Sequence, residues 1–263
     1  MVMPENGRLE LRLISNAVMC LAILAIALLP FPQPVAGDFE TPLEILVYGA
    51  TGQVGVHLVD EGLARGHRVT AVSRDPSRIE RDHENLRKVQ GDILDRASVA
   101  SLVESKDVVI ISVRGISGAG ESPVDAVPYV GLKNVVSALQ KPGHDDSRLI
   151  HVGGSGSLEV EPGKLFADQL PKFLLPKHLE LEIAGQVVAL GYLRTITDVQ
   201  WTYATPAKNF TNGDRTGEFR IGGDRLMEDS RGKSRISRAD FAVALIDEAE
   251  NGQFIRERFS VAY

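Results

Sequence analysis

The sequence predicts an α/β fold, a doubly wound parallel sheet with a small C-terminal lobe, and three observations carry that prediction. Short apolar, β-rich runs alternate with helical patterns from Glu44 to Pro206. The first such run passes into the first helix through a glycine-rich turn, Gly49-x-x-Gly52-x-x-Gly55. Beyond Pro206 the alternation gives way to a Gly- and charge-rich stretch. Regular β-α-β alternation calls for parallel strands with helices on both faces of the sheet.

Taken in order, Glu44–Tyr48 reads as a buried strand and Gln53–Ala64 as a helix with Val56, Val59 and Leu63 on one face, broken by Gly66. "HRVTAVS" and "LRKVQGDI" are the second and third strands, and "RASVASLVESK" is a short helix. It leads into "DVVIISV", the fourth strand. "VDAVPYVGLKNVVSALQ" is the next helix, interrupted early by Pro128, and "SRLIHVGG" the fifth strand. "HLELEIAGQVVALGYLR" is strongly helical, and "DVQWTYATP" is a sixth strand closed by Pro206, with Trp201 assigned to the core. "SRADFAVALIDEAENG" then opens a helix with Ser237 as N-cap and Asp240 three residues on, the spacing of a capping box. "RERFSVAY" is the last strand. The part from 207 to 263 is too small for an independent domain and is expected to pack over the carboxyl ends of the strands, where ligands bind in such sheets.

Composition bounds the rest. The chain has 263 residues, 43% of them hydrophobic and 24% charged, with a formal net charge of −6. This is the profile of a globular protein without a basic nucleic-acid-binding patch. Residues 1–37 differ: Arg8 and Arg12 precede an uncharged apolar run, Ala17–Leu29, and small residues Val35 and Gly37 follow a proline-rich stretch. That pattern predicts a signal peptide or an N-terminal anchor, because the apolar core is short for a membrane span of about 20 residues. The expected location is therefore exported, periplasmic or membrane-tethered, and cytoplasmic only if the leader is not used. Residues 38–263 are expected to form a single domain. Cys20 is the only cysteine and lies in the leader, so the remainder has no disulfide or thiolate metal site, and the histidines show no metal-ligand spacing.

The glycine turn predicts a dinucleotide cradle. Gly49 permits a tight turn, Gly52 lets the backbone approach a pyrophosphate, and Gly55 allows close helix–strand packing. The helix N-terminus offers free N–H groups and a positive dipole end. Nucleotide choice is set at the end of the second strand. There Ser73, Arg74 and, one turn on, Arg78 stand where a carboxylate would select an unphosphorylated ribose. An arginine can hold a 2′-phosphate that a carboxylate repels, so the predicted cofactor is NADP(H). Asp75 is followed by Pro76 and is expected to start the next turn.

The pieces "GATGQVG", "SRDPSR", "GDILD", "VGGSGSLEV", "WTYATPA", "RTGEFRIGGD" and "SRISRADFAVALIDEAE" resemble the NAD(P)H-binding, NADH-flavin-reductase-like family of atypical short-chain dehydrogenases, over about Leu43 to Tyr263. The resemblance implies a Rossmann-like domain with the nucleotide at the top of the sheet. It places Gly49, Thr51, Gln53 and Val54 at the pyrophosphate and Asp92 and Ile93 beside the adenine. Ser112 and Val113 fall along the ribose, and Ser155 near the nicotinamide. It implies reduction of flavins, quinones or similar acceptors.

Ordinary short-chain dehydrogenases carry a Tyr-x-x-x-Lys acid after the fifth strand. Here the only match, Tyr129-x-x-x-Lys133, precedes that strand and is read as coincidental. Reducing an isolated ketone needs a proton donor in step with hydride transfer, whereas flavins and quinones give delocalised anions that solvent can protonate. The absence therefore favours a small-molecule redox acceptor of the flavin or quinone class. Ser155 and His178 are the candidate catalytic groups, the serine equally readable as a turn cap and the histidine as a solvated helix start. Pro206 and Asn209 are expected to bound the nicotinamide pocket on its far side. The competing reading is a non-catalytic NADP(H)-binding regulator or assembly factor of NmrA-like type. An epimerase is disfavoured because such enzymes retain the tyrosine and lysine.

Overall fold

A computed structural model describes residues 41–117 and 120–263; the leader predicted over residues 1–37 lies outside the described residues. The elements follow as β1 (Glu44–Tyr48), α1 (Gly55–Ala64), β2 (Arg68–Ser73), β3 (Leu86–Gln90), α2 (Arg96–Leu102), β4 (Val108–Ile111), α3 (Val127–Leu139) and β5 (Arg148–Val152). A small hairpin, β6 (Glu159–Glu161) and β7 (Lys164–Leu165), precedes the short α4 (Phe166–Gln169) and the long α5 (Lys177–Leu193). Then come β8 (Gln200–Pro206), β9 (Asn209–Thr211), β10 (Arg220–Gly222), β11 (Arg235–Ser237), α6 (Arg238–Asn251) and β12 (Glu257–Ala262). Among the described residues no helix is long and apolar enough to cross a membrane.

Eight strands form one sheet in the order β10-β12-β8-β5-β4-β1-β2-β3, parallel except for the edge strand β10. The predicted doubly wound sheet is therefore present. The strand order reverses between β1 and β4, which opens a crevice at their carboxyl ends. Alternation along the strands sorts the core into two layers. Ile45 and Val47 of β1, with Val108 and Ile110 of β4, face α1 and α6 through Leu58, Phe241, Leu245 and Ile246. Leu46 and Tyr48, with Val109 and Ile111, face α3 and α5 through Leu132, Val136, Ala189 and Leu193. Burial on both faces is why these strands read as unbroken apolar runs.

Several local expectations are corrected. The first helix starts at Gly55 rather than Gln53, because residues 50–54 form the turn. Its buried stripe is Gly55, Leu58, Val59, Gly62 and Leu63, so Val56 faces outward and is exposed. The capping box on α6 is half formed: Ser237 Oγ accepts the Asp240 N–H at 3.0 Å, but Asp240 turns elsewhere. Its carboxylate accepts from the Thr216 and Gly217 N–H groups and from the Tyr263 hydroxyl. These bonds tie the 212–217 loop to α6.

The expected C-terminal lobe divides. Helix α6 and β12 are integral to the main sheet and its helical layer, since β12 pairs with β8 over five residues. The β9–β11 pair and nearby residues are what rim the carboxyl edge. Trp201 is buried, as expected, with its indole N–H donating to the Ile196 carbonyl at 3.0 Å.

Candidate active site

A cleft of about 800 Å³ runs along the carboxyl ends of the strands. Strand order fixes the sequence of groups along it. The β2 and β3 ends supply Ser73, Arg74, Arg78, Asp92 and Ile93; the β1 turn supplies Gly49 and residues 51–54. The β4 end supplies Ser112, Val113 and Arg114, the β5 end Gly153 to Gly156, and the β8 end Pro206 and Ala207. At about 4.8 Å per strand, Arg74 and Ser155 belong to opposite ends of the cleft.

The glycines are required by contact rather than by habit. Gly49 has φ +80°, and a Cβ there would lie 2.1 Å from the Ser112 carbonyl oxygen. A Cβ on Gly55 would lie 2.0 Å from the Gly49 oxygen, so α1 can begin directly against the turn only without one. Gly55 is accordingly the single predicted cofactor residue that packs behind the cleft instead of lining it. The Gly52 N–H closes the turn onto Gly49 O at 2.8 Å. No side chain caps α1, and among the described residues the N–H groups of Gln53 and Val54 form no hydrogen bond. An uncapped helix start with two free donors at a cleft wall fits a phosphate.

Charge in the cleft is distributed to match. Asp75 is occupied as N-cap of the 3₁₀ turn Pro76–Arg78, accepting from the Ser77 N–H and hydroxyl. Asp92 accepts the Leu94 N–H at 2.9 Å. Glu182 of α5 pairs with Arg114 at 2.7 Å, joining the β4 wall to the α5 wall. The side chains of Arg74 and Arg78 form neither hydrogen bond nor ion pair among the described residues, leaving two unpaired guanidinium groups at the β2 end. Asp75 behaves as its Pro76 neighbour predicts.

At the other end, Ser155 lines the cleft and its hydroxyl forms no hydrogen bond among the described residues. Leu179, Ile183 and Phe210 add apolar walls. His178 does not line the cleft; it is exposed at the start of α5. The face of α5 that lines the cleft is Leu179, Glu182, Ile183 and Gln186, an i, i+3, i+4, i+7 stripe that excludes position 178. The Asn209 expectation is likewise corrected: along β9 Asn209 is exposed and its neighbour Phe210 lines the cleft. Tyr129 packs edge-on to Tyr192 at 5.9 Å with Lys133 over its ring, away from the cleft lining. That Tyr-x-x-x-Lys match serves the helical layer.

The sequence did not point to the apolar walls Leu179, Ile183 and Phe210, nor to three polar lining residues, Arg238, Arg114 and Gln186. Arg238, the first residue of α6, crosses to Gln53 Oε1 at 3.0 Å and lies over the Phe210 ring. Gln186 shares the α5 stripe of Leu179 and Glu182, a spacing whose direction is set only once α5 is placed beside β5, while Arg114 and Arg238 leave no local signal. Beneath Gln186, His151 is fully buried; burial lowers its pKa to about 4, against the pull of its hydrogen bond to Gln186. Tyr203 stacks on His151 at 5.3 Å, and burial pushes its hydroxyl up to about 12.

Comparison with known proteins agrees with this geometry. A family model described as NAD(P)H-binding matches residues 49–251. The Bacillus subtilis protein YwnB is 30% identical over 224 residues, 83% of this chain and 98% of that one. A Burkholderia pseudomallei protein assigned as exported is 36% identical, with TM-score 0.71 over 84% of this chain and all of that one. A Streptococcus pneumoniae protein assigned as an NADH-flavin reductase is 29% identical, with TM-score 0.68 over 84% and 99%. With its Rossmann-like sheet, glycine cradle and matched family model, the chain belongs to the NAD(P)H-binding family.

Proposed function

We propose that this chain is an NADPH-dependent reductase that passes a hydride to a flavin, a quinone or a similar conjugated acceptor. The observation that carries the reading is the polarity of the cleft. Arg74 and Arg78, unpaired among the described residues, stand at one end, and apolar walls with a free Ser155 hydroxyl stand at the other. The free N–H groups of Gln53 and Val54, with Gly49, Thr51 and Gly52, would hold the pyrophosphate, and Asp92 and Ile93 would flank the adenine. Ser73, Arg74 and Arg78 would select a 2′-phosphate, because charge-assisted bonds from two guanidinium groups are lost when the phosphate is absent. Ser112 and Val113 would run beside the ribose, with Ser155 and Pro206 around the nicotinamide. When bound, the reduced nicotinamide supplies the hydride.

The chain's own contribution is then orientation and exclusion of water. Leu179, Ile183 and Phe210 form apolar walls suited to a flat, conjugated acceptor. Ser155 is the hydroxyl available to the reacting atoms, and His178 takes no part. Residues 1–37 would export or tether the domain, in keeping with its likeness to the exported B. pseudomallei protein. The test is consumption of NADPH by the purified full-length chain with riboflavin, menadione and dichlorophenolindophenol. Turnover above blank supports the reductase. Tight NADPH binding without turnover favours a non-catalytic regulator.

A further inference from the structure

Among the described residues no Tyr-x-x-x-Lys pair lines the acceptor end of the cleft, yet a buried polar assembly stands there that cofactor binding does not explain. Gln186 Oε1 is 3.0 Å from His151 Nε2 and 3.3 Å from the Tyr203 hydroxyl, which also donates to the Gln186 main-chain carbonyl at 2.9 Å. Gln186 Nε2 faces the Val152 carbonyl at 3.4 Å. The Val152 carbonyl favours this orientation of the amide. In this orientation the side-chain oxygen accepts and His151 donates from Nε2, whereas a flipped amide would set oxygen 3.4 Å from the Val152 carbonyl.

His151 Nδ1 is then left bare, and it is buried with no partner among the described residues. An unpaired buried acceptor is a destabilising feature that most folds avoid. Nδ1 has no partner among the described residues in either tautomer, and with Nε2 donating to the amide oxygen the Gln186 NH2 lies on the side of the amide away from His151. One N–H of that NH2 makes only the long bond to Val152, and the other has no partner among the described residues. Gln186 lines the cleft beside Gly153, Gly154 and Ser155. Gly153 makes the assembly possible, because the Tyr203 ring occupies the place a Cβ there would take.

We infer that Gln186 is the hydrogen-bond donor to the acceptor, in place of a Tyr-x-x-x-Lys tyrosine, and that His151 and Tyr203 are positioning residues that hold its amide in the donating orientation. This rests on the reductase reading above. In the step, a C–H bond of the dihydronicotinamide breaks and its hydrogen and electron pair form a new bond to the acceptor. The nicotinamide is oxidised, the acceptor is reduced by two electrons, and it becomes an anion. Gln186 N–H donates to the atom where that charge collects and keeps its proton, since an amide is far too weak an acid to give it up. Water supplies the proton that completes the dihydro product.

The test compares the full-length wild type with Gln186→Met, Gln186→Asn and His151→Phe. Each is assayed with NADPH and a series from benzoquinone through menadione to duroquinone, whose reduced anions grow more basic. Melting temperature and NADPH affinity are taken alongside. The expected result is a kcat loss in Gln186→Met that grows along the series, to about tenfold or more for duroquinone, with NADPH affinity within about twofold of wild type. Gln186→Asn, which draws the amide back by one methylene, shows the same trend and carries the test if Gln186→Met does not fold. His151→Phe keeps the stack on Tyr203, frees the amide to turn, and shows a smaller loss with the same dependence on acceptor. A loss equal for every acceptor, or no loss, overturns the assignment while leaving the reductase standing. A wild type that binds NADPH but reduces none of the quinones overturns both.

Discussion

Replacing Gly55 by alanine is the sharpest perturbation of the cradle. The added Cβ would meet three backbone atoms, Gly49 O at 2.0 Å, Gly49 C at 2.7 Å and Ala50 Cα at 2.9 Å. Ordinary carbon contacts lie near 3.5–4 Å, so the overlap exceeds about 1 Å against atoms that have no rotamer to change. Relief requires the start of α1 to move away from the turn, carrying the free Gln53 and Val54 N–H groups with it. Overpacking of this kind costs about 1–3 kcal/mol, and in a domain this size each kcal/mol lowers the melting temperature by about 2–4 °C.

Gly55→Ala is therefore expected to melt about 2–12 °C below wild type and to bind NADPH at least about tenfold more weakly. Gly66→Ala is the control. Its φ of +82° strains any other residue, but nothing lies within 4 Å of the new methyl. It should lose about 1 kcal/mol and leave NADPH affinity unchanged. Thermal melts and fluorescence titration read both quantities. A Gly55→Ala protein with wild-type melting and wild-type NADPH affinity would refute the reasoning, as would equal weakening of binding by Gly66→Ala.

Further expectations follow from the same geometry. Arg74→Ala should weaken NADPH binding by roughly tenfold, the loss of one charge-assisted hydrogen bond at an exposed site, and leave NADH affinity within about twofold; isothermal titration with both nucleotides checks this. Tyr129→Phe and His178→Ala should keep kcat near wild type, since neither residue lines the cleft; a large drop in either would return it to the catalytic machinery. Acidification should destabilise the fold through His151. Its folded pKa, near 4, lies below the ordinary 6.5, so its contribution is fully present above pH 6.5 and is lost as pH falls from there toward 4. The loss is about 3 kcal/mol at most, and urea unfolding of His151→Phe against wild type across that window should show the slope removed in the variant.

How much of this was legible in the sequence depends on locality. Strands β1 and β4 announced themselves because both of their faces are buried, which leaves no polar residue to interrupt the run. The glycine triplet was legible from its spacing at a strand-to-helix turn, and Gly52 and Gly55 meet Gly49 within the turn itself, whereas the contact of Gly49 with Ser112 is long-range. Asp75 could be read because Pro76 follows it directly. The acceptor end was not legible in this way. Arg238 reaches Gln53 across 185 positions, and Arg114 reaches Glu182 across 68, so neither pairing leaves a local spacing. His178 failed for a geometric reason: one residue along α5 is a rotation of about 100°, enough to move a side chain from the cleft to solvent. Gln186 carries no motif at all and gains its meaning from the buried His151 and Tyr203 beneath it.

The central claim is that the cleft holds NADPH and hands its hydride to a conjugated acceptor. The most direct measurement is an anaerobic single-turnover experiment in which the full-length protein, loaded with one equivalent of NADPH, is mixed rapidly with menadione. The absorbance of the reduced nicotinamide is expected to disappear faster than in a protein-free mixture, and NADH to react only at concentrations where it is bound. Protein-bound NADPH whose absorbance persists no less than in the blank would contradict it.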